Sequence, residues 1–288
     1  MSKDRIKKIF ETRRLKKMGS DVVIRKKRQG VSPKDVPCEV IVSLTSFPAR
    51  IETVDKTIRT LLNQTIMPNR LILWLAKEQF PDKERSLPAK LLQLRNNGLE
   101  IEWVDKDIKS YKKLIPALQK YPDAIIITVD DDWYYHRDLV KTLMEEHYRN
   151  PQMIISNLIT HPYFDNSGEL HSANNLEPYI GTASFGNKVL GYGGVLYPPK
   201  CLSSEVFYDF MHIAPTNDDI WFWSMAVLNN TKIKVPDKPV KMIVMTAPDT
   251  QNDQSLSNFN DTYNTYIKDT EAILRKYPEI KFKLLTEI

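Results

Sequence analysis

The chain has 288 residues, 42% of them apolar and 27% charged, an ordinary globular balance that excludes wholesale disorder. Its formal charge of +5 is unevenly spread: residues 1–37 hold 13 Lys+Arg against four acids, and the remainder holds 28 against 32. A slightly acidic body behind a basic leader lacks the broad basic face of a nucleic-acid binder, and no nucleic acid is expected as a partner.

The two cysteines, Cys38 and Cys201, lie far apart, which excludes a disulfide framework or zinc ribbon and favours a reducing compartment. No apolar run approaches the roughly 18 residues of a membrane span, and the N-terminus lacks the apolar stretch of a secretory signal. A cytoplasmic protein is expected. In the first 30 residues Ile6, Ile9, Phe10 and Leu15 stand among many Lys and Arg. Two readings stay open there: a helix on an anionic membrane surface, peripheral at the inner face of the cytoplasmic membrane, or a solvated tail. Residues 1–37 are therefore set apart as a basic N-terminal extension, with one folded domain over 38–288.

Along that body, Val40–Leu44 is a short apolar strand that ends in the polar turn Thr45-Ser46-Phe47-Pro48. Ile51, Val54, Ile58, Leu61 and Leu62 then follow helical spacing. Leu71–Leu75 is a second buried strand. Pro88 opens a helix that stops at Asn97-Gly98. Leu99, Ile101 and Trp103 alternate with Glu100 and Glu102 as a half-exposed strand running into Asp105. A Lys-rich helix over Tyr111–Lys120 precedes the apolar strand Ala124–Val129, which leads directly into Asp130-Asp131-Asp132. Strand and helix thus alternate four times, which predicts an α/β fold with a mostly parallel sheet and helices on both faces. Ligands bind such sheets beyond the carboxyl ends of the strands, so the loops Thr45–Arg50, Asp105–Lys113 and Asp130–Tyr135 are the ones to inspect. The second half is less regular, with an Asn-, Gly-, Pro- and Tyr-rich stretch over 157–200 and an aromatic, buried helix over Asp218–Asn229.

Three consecutive aspartates after a buried strand crowd like charges into a partly dry place. A hard divalent cation, Mn2+ or Mg2+, relieves that repulsion and shares itself with phosphates. The alternative, Asp132 capping a helix that starts near Arg137, requires one aspartate rather than three. Three of the nine glycines fall in Gly191-Tyr192-Gly193-Gly194, suited to close backbone approach to a ligand. Asp218-Asp219 opens the aromatic helix; one can serve as N-cap, and the other is left over.

The run Ile41–Ile51, then Asn63-Gln64-Thr65, Pro68 and the Asp triplet resemble a GT-A nucleotide-sugar glycosyltransferase of the bacterial surface-polysaccharide type. The triplet is also similar to that of exostosin-like transferases, and the resemblance covers roughly residues 39–250. It implies a GT-A (Rossmann-like) fold, with a nucleotide-binding half to about residue 135 and an acceptor half beyond it. It also implies hexosyl transfer from a nucleotide sugar, UDP-sugar being the commonest, to a glycan or lipid-linked acceptor.

By that resemblance Thr45, Ser46, Phe47, Arg50 and Asp105 meet the nucleotide, with Phe47 on the base, Arg50 on a phosphate and Asp105 on base or ribose. Lys113, preferred over Lys112, points at the nucleotide. Asp132 chiefly chelates the metal with Asp130, while Asp130 and Asp131 face the ribose, donor sugar or metal-bound water. Gly193 and Gly194 line the donor pocket, and Tyr192 and Trp221 the sugar or acceptor. Asp219, with Asp218, stands at the acid/base position; inversion and retention both stay open. Gln251–Gln254 is a loop expected to close over the nucleotide. His136, His161, His171 and His212 are assigned structural roles. The competing readings are a sugar-phosphate phosphatase or nucleotidyltransferase, and a non-catalytic sugar- or membrane-binding module with a structural cation.

Overall fold

The computed structural model describes residues 12–14, 16–17, 38–242, 244–246 and 256–287. Apart from residues 12–14 and 16–17, which are helical, the basic extension lies outside the described residues, and so does the Gln251–Gln254 loop.

The expected alternation is observed: β1 (Val40–Thr45), α1 (Val54–Leu61), β2 (Arg70–Ala76), β3 (Leu99–Val104), α2 (Ile115–Lys120) and β4 (Ile125–Thr128). β3, β2, β1 and β4 lie side by side, all parallel. The helix expected over Tyr111–Lys120 is split, because Lys109–Lys113 forms a tighter 3-10 turn and Pro116 sits in the first turn of α2. The stretch after Pro88 is a single α turn, then a 3-10 turn that ends at Gly98 with φ 106°.

Beyond α3 (Leu139–Arg149) come β5 (Ile154–Ser156), β6 (Ile159–Phe164), β7 (Leu170–Ala173), β8 (Ala183–Ser184), β9 (Lys188–Val189) and β10 (Val195–Tyr197). β10 joins the sheet antiparallel between β4 and β5. The strand order is completed by β11 (Ile233–Lys234) and β8, while β7, β6 and β9 make a second, three-stranded sheet. α4 (Asp218–Leu228) and the C-terminal helices α5 (Leu256–Tyr263), α6 (Thr265–Lys276) and α7 (Pro278–Thr286) complete the described chain.

The continuous apolar runs of β1 and β4 are shared between two cores by strand alternation. Val40, Val42, Leu44, Ile125 and Ile127 pack with Val54, Ile58 and Leu143 on one face. Ile41 and Ile126 pack with Trp221, Phe222 and Trp223 on the other. Parallel register sets Ser43 beside Thr128, so the turn after β1 and the triplet after β4 emerge together at one edge.

Candidate active site

A cavity of about 520 Å³ opens at that edge, within the usual range for ligand pockets. It is lined from all three loops singled out above: Thr45, Ser46, Phe47 and Arg50; Asp107 and Lys113; and Asp130 to Trp133. The second half of the chain adds Lys188, Tyr192, Asn217, Asp218, Asp219 and Tyr266 as a further wall.

The triplet is not a helix cap. α3 begins at Leu139, preceded by Asp138, so residues 133–138 separate it from Asp132. Each aspartate has its own surroundings. Asp131 is buried; its Oδ2 accepts from Ser46 Oγ at 2.5 Å and its Oδ1 from Arg50 Nη1 at 2.8 Å. The same guanidinium nitrogen lies 3.0 Å from Asp132 Oδ2. Asp130, 33% exposed, receives Lys113 Nζ at 2.7 Å.

Lys113 also lies 3.0 Å from Asp218 Oδ2 and 4.0 Å from Asp219 Oδ1, tying the two walls of the cavity together. Burial opposes its charge, but Asp130, Asp218 and Asp219 outweigh burial and hold the ammonium well above the usual lysine range. Arg50 is likewise raised, burial being outweighed by Asp131 and Asp132. For Asp131 burial wins over Arg50 and Ser46, and its carboxyl is raised.

Neither Asp218 nor Asp219 is the N-cap of α4. Asn217 precedes the helix, its side chain donating to Thr265 Oγ1 at 3.0 Å and Asp269 Oδ2 at 2.5 Å. Both aspartates sit in the first turn, where the helix dipole favours anions. Asp219 is 26% exposed to the cavity, and its Oδ2 accepts from the Gly191 N–H at 2.9 Å. Burial raises its carboxyl pKa; Lys113 pulls it down, Asp218 and Asp130 push it up, and it comes to about 7. A carboxyl near neutrality at a cavity wall is suited to accept a proton.

The other residues singled out in the sequence divide. Thr45 and Phe47 line the cavity; Thr45 Oγ1 donates to the Trp74 carbonyl at 2.8 Å, and Arg50 lies 5.4 Å above the Phe47 ring. Tyr192 lines the cavity and stacks on Trp133 at 5.1 Å. Lys112 turns away from Lys113's cluster to Asp107 and Gln79.

Asp105 is not in the cavity. Its side chain is 84% exposed and pairs with Lys77 at 2.6 Å. Two residues on, Asp107 turns inward and lines the site, holding Gln79 and Lys112. Trp221 is also not a ligand contact: it is 0% exposed, with its indole N–H on the Val206 carbonyl at 3.1 Å, deep in the core.

Gly193 and Gly194 serve packing rather than the pocket. A Cβ on Gly193 would lie 2.7 Å from Leu158 and one on Gly194 3.0 Å from Leu139; Gly194 also has φ +92°. Gly191 is the glycine at the site, where a Cβ would lie 2.6 Å from both Asp219 Oδ1 and Lys113 Nζ.

His136 contacts Asp138 locally, and His161 stacks on Tyr179 at 4.2 Å and bonds Asn187. Sequence reasoning missed Asp107, Trp133 and Lys188. Trp133 carries a legible signal, an aromatic directly after the triplet.

A divalent cation requires several oxygen or nitrogen donors within mutual reach. Among the described residues, one group of three His, Cys, Asp or Glu ligand atoms lies within mutual reach, Asp165, Glu169 and His171 on the exposed β6–β7 hairpin. The triplet is therefore no closed cage. Asp131 has both oxygens engaged, and Asp130 and Asp132, paired with Lys113 and Arg50, line the cavity as hard oxygen donors. One or two carboxylates plus phosphate oxygens and water are what Mg2+ or Mn2+ takes, so the residues fit. Among the described residues, no helix is long and apolar enough to cross a membrane.

No family model and no curated protein matches the chain. Among solved structures it is similar to GT-A glycosyltransferases at low identity. GalNAc-T7 with UDP, GalNAc and Mn2+ matches at 10% identity and TM-score 0.47, covering 69% of this chain and 42% of that one. S. aureus TarS 1–349 matches at 14% and 0.41, and its complex with UDP at 12% and 0.46, each covering 71% of this chain and 59% of the other. The chain thus spans about half the length of the structures it matches, and at these scores the likeness carries no inference about activity.

Proposed function

We propose that this chain is a metal-dependent glycosyltransferase that moves a sugar from a nucleotide-sugar donor, a UDP-sugar, to a hydroxyl of a glycan or lipid-linked acceptor in surface-polysaccharide synthesis. The observation that carries the reading is one cavity at the ends of β1 and β4 in which the Asp triplet, Arg50 and Lys113 face Asp219. Cations for a diphosphate and a carboxyl able to take a proton share one cavity.

In this reading the base lies along Phe47 and Thr45, with Asp107 near the ribose. Arg50 and Lys113 hold the phosphates, Arg50 through its forked donors. Asp131 is a positioning residue that aims Arg50. Asp130 and Asp132 would hold a cation, Mn2+ or Mg2+, whose chemistry would be to offset negative charge on the diphosphate.

The acceptor hydroxyl loses its proton to Asp219 as its oxygen bonds the sugar's anomeric carbon and the carbon–phosphate oxygen bond breaks. The nucleoside diphosphate leaves with that bonding pair. A base acting directly on the acceptor suits inversion. The stacked Trp133–Tyr192 pair offers a flat apolar face for a sugar ring.

The test is UDP release from a panel of UDP-sugars with Mn2+. Turnover is expected, falling at least about 100-fold in Asp132→Asn and in Asp219→Asn. Unchanged turnover in Asp132→Asn, or no UDP binding with Mn2+ present, overturns the reading.

A further inference from the structure

The cations of the cavity are not equivalent. Arg50, Lys112 and Lys113 are each ion-paired with aspartates. Among the described residues two lining lysines have no ion pair, Lys109 and Lys188; the Lys188 ammonium has the Tyr266 ring 5.7 Å away as its partner.

Its direction follows from the strand. β9 pairs antiparallel with β6, setting Lys188 beside Thr160. Val189 is 0% exposed in the core beneath α4, so the alternating side chain, Lys188, faces the cavity. It lines the cavity with Asn217, Asp219 and Asn260.

An ammonium taken from water without an anion is costly. A cation–π contact of about 0.5–2 kcal/mol offsets only part of that. Burial lowers the lysine's pKa and Asp219 raises it, with burial the larger effect. Asp219 offsets only part of that cost, and the anion of a ligand can supply the rest. In the transferase reading the diphosphate already has Arg50 and Lys113.

We propose that Lys188 binds a negatively charged group, a carboxylate or a phosphate, on the acceptor, so that the acceptor is an acidic glycan rather than a neutral one. This rests on the transferase reading of the same cavity. Lys188 then orients the acceptor with its hydroxyl toward Asp219, and it discriminates against uncharged sugars.

The experiment measures binding of glucose, glucuronic acid and glucose 6-phosphate to the full chain loaded with UDP and Mn2+, at matched ionic strength. Wild type is expected to bind at least one charged sugar about tenfold or more tighter than glucose, the scale of a charge-assisted hydrogen bond. Which of the two it prefers separates a uronic acid from a phosphorylated acceptor. Lys188→Met is expected to lose the preference and Lys188→Arg to keep it, with UDP affinity unchanged in both.

Equal binding of all three sugars by wild type overturns the proposal without recourse to any variant. A preference that survives Lys188→Met does the same. If Lys188→Met instead weakens UDP by the same factor, the lysine serves the diphosphate and the acceptor role falls. UDP binding without a charge preference sinks this proposal alone, whereas no UDP binding by wild type sinks the donor reading and this one with it.

Discussion

Replacing Asp219 by Asn has a pH-dependent consequence for stability that follows from the site's electrostatics. The folded carboxyl titrates at about 7 against an ordinary value of 3.8. It prefers its proton when folded, so folding takes up a proton between about pH 4 and pH 7. Wild-type stability therefore falls as pH rises through that window.

At about 1.4 kcal/mol per pH unit the full cost of ionisation is roughly 4 kcal/mol. Asp219 is 26% exposed and shares Lys113 with Asp130 and Asp218, so about half of that, roughly 2 kcal/mol, is the expected gain. Asn keeps an acceptor for the Gly191 N–H. For a chain of this length the gain corresponds to about 4 °C in Tm above pH 7, shrinking towards zero near pH 4. Thermal unfolding of both proteins across that range is the assay. An Asn variant that is less stable than wild type by the same margin at every pH would refute the reasoning, because it would mean an ionised Asp219 stabilises the fold.

The remaining predictions concern single residues. Asp105→Asn should leave UDP affinity unchanged by calorimetry, since the side chain points to solvent, whereas Asp107→Asn should weaken it severalfold. Gly191→Ala should cost at least about tenfold in turnover with far less effect on Tm, because the added Cβ displaces the Asp219 carboxylate and the Lys113 ammonium. Trp221→Ala should cost about 3–5 kcal/mol in denaturant unfolding, a loss that ligand-contact roles do not require.

Much of this was legible in the sequence. The runs Val40–Leu44 and Ala124–Val129 become the adjacent parallel strands β1 and β4, because continuous β-branched segments between turn signals have few alternatives. Their polar ends, Thr45–Arg50 and Asp130–Asp132, meet at one cavity for the same reason. Asp105 and Asp107 could not be told apart by pattern, since the turn after β3 decides which one faces in. Trp221 was misplaced although a warning was present: α4 is apolar on every face, which marks a helix buried all round. Gly193 and Gly194 answer to Leu158 and Leu139, neighbours that only the fold supplies. Lys188 carries no local signal, because the proposal for it rests on its having no ion pair among the described residues, a property of three-dimensional surroundings.

The central claim is that the Asp triplet and its cation hold a nucleoside diphosphate. Titration calorimetry of UDP into the full chain, with Mn2+ and then with EDTA, tests it most directly when repeated on Asp132→Asn. The account predicts saturable binding with Mn2+ that weakens at least about tenfold in EDTA and in the variant. UDP binding equally well in all three conditions would contradict it.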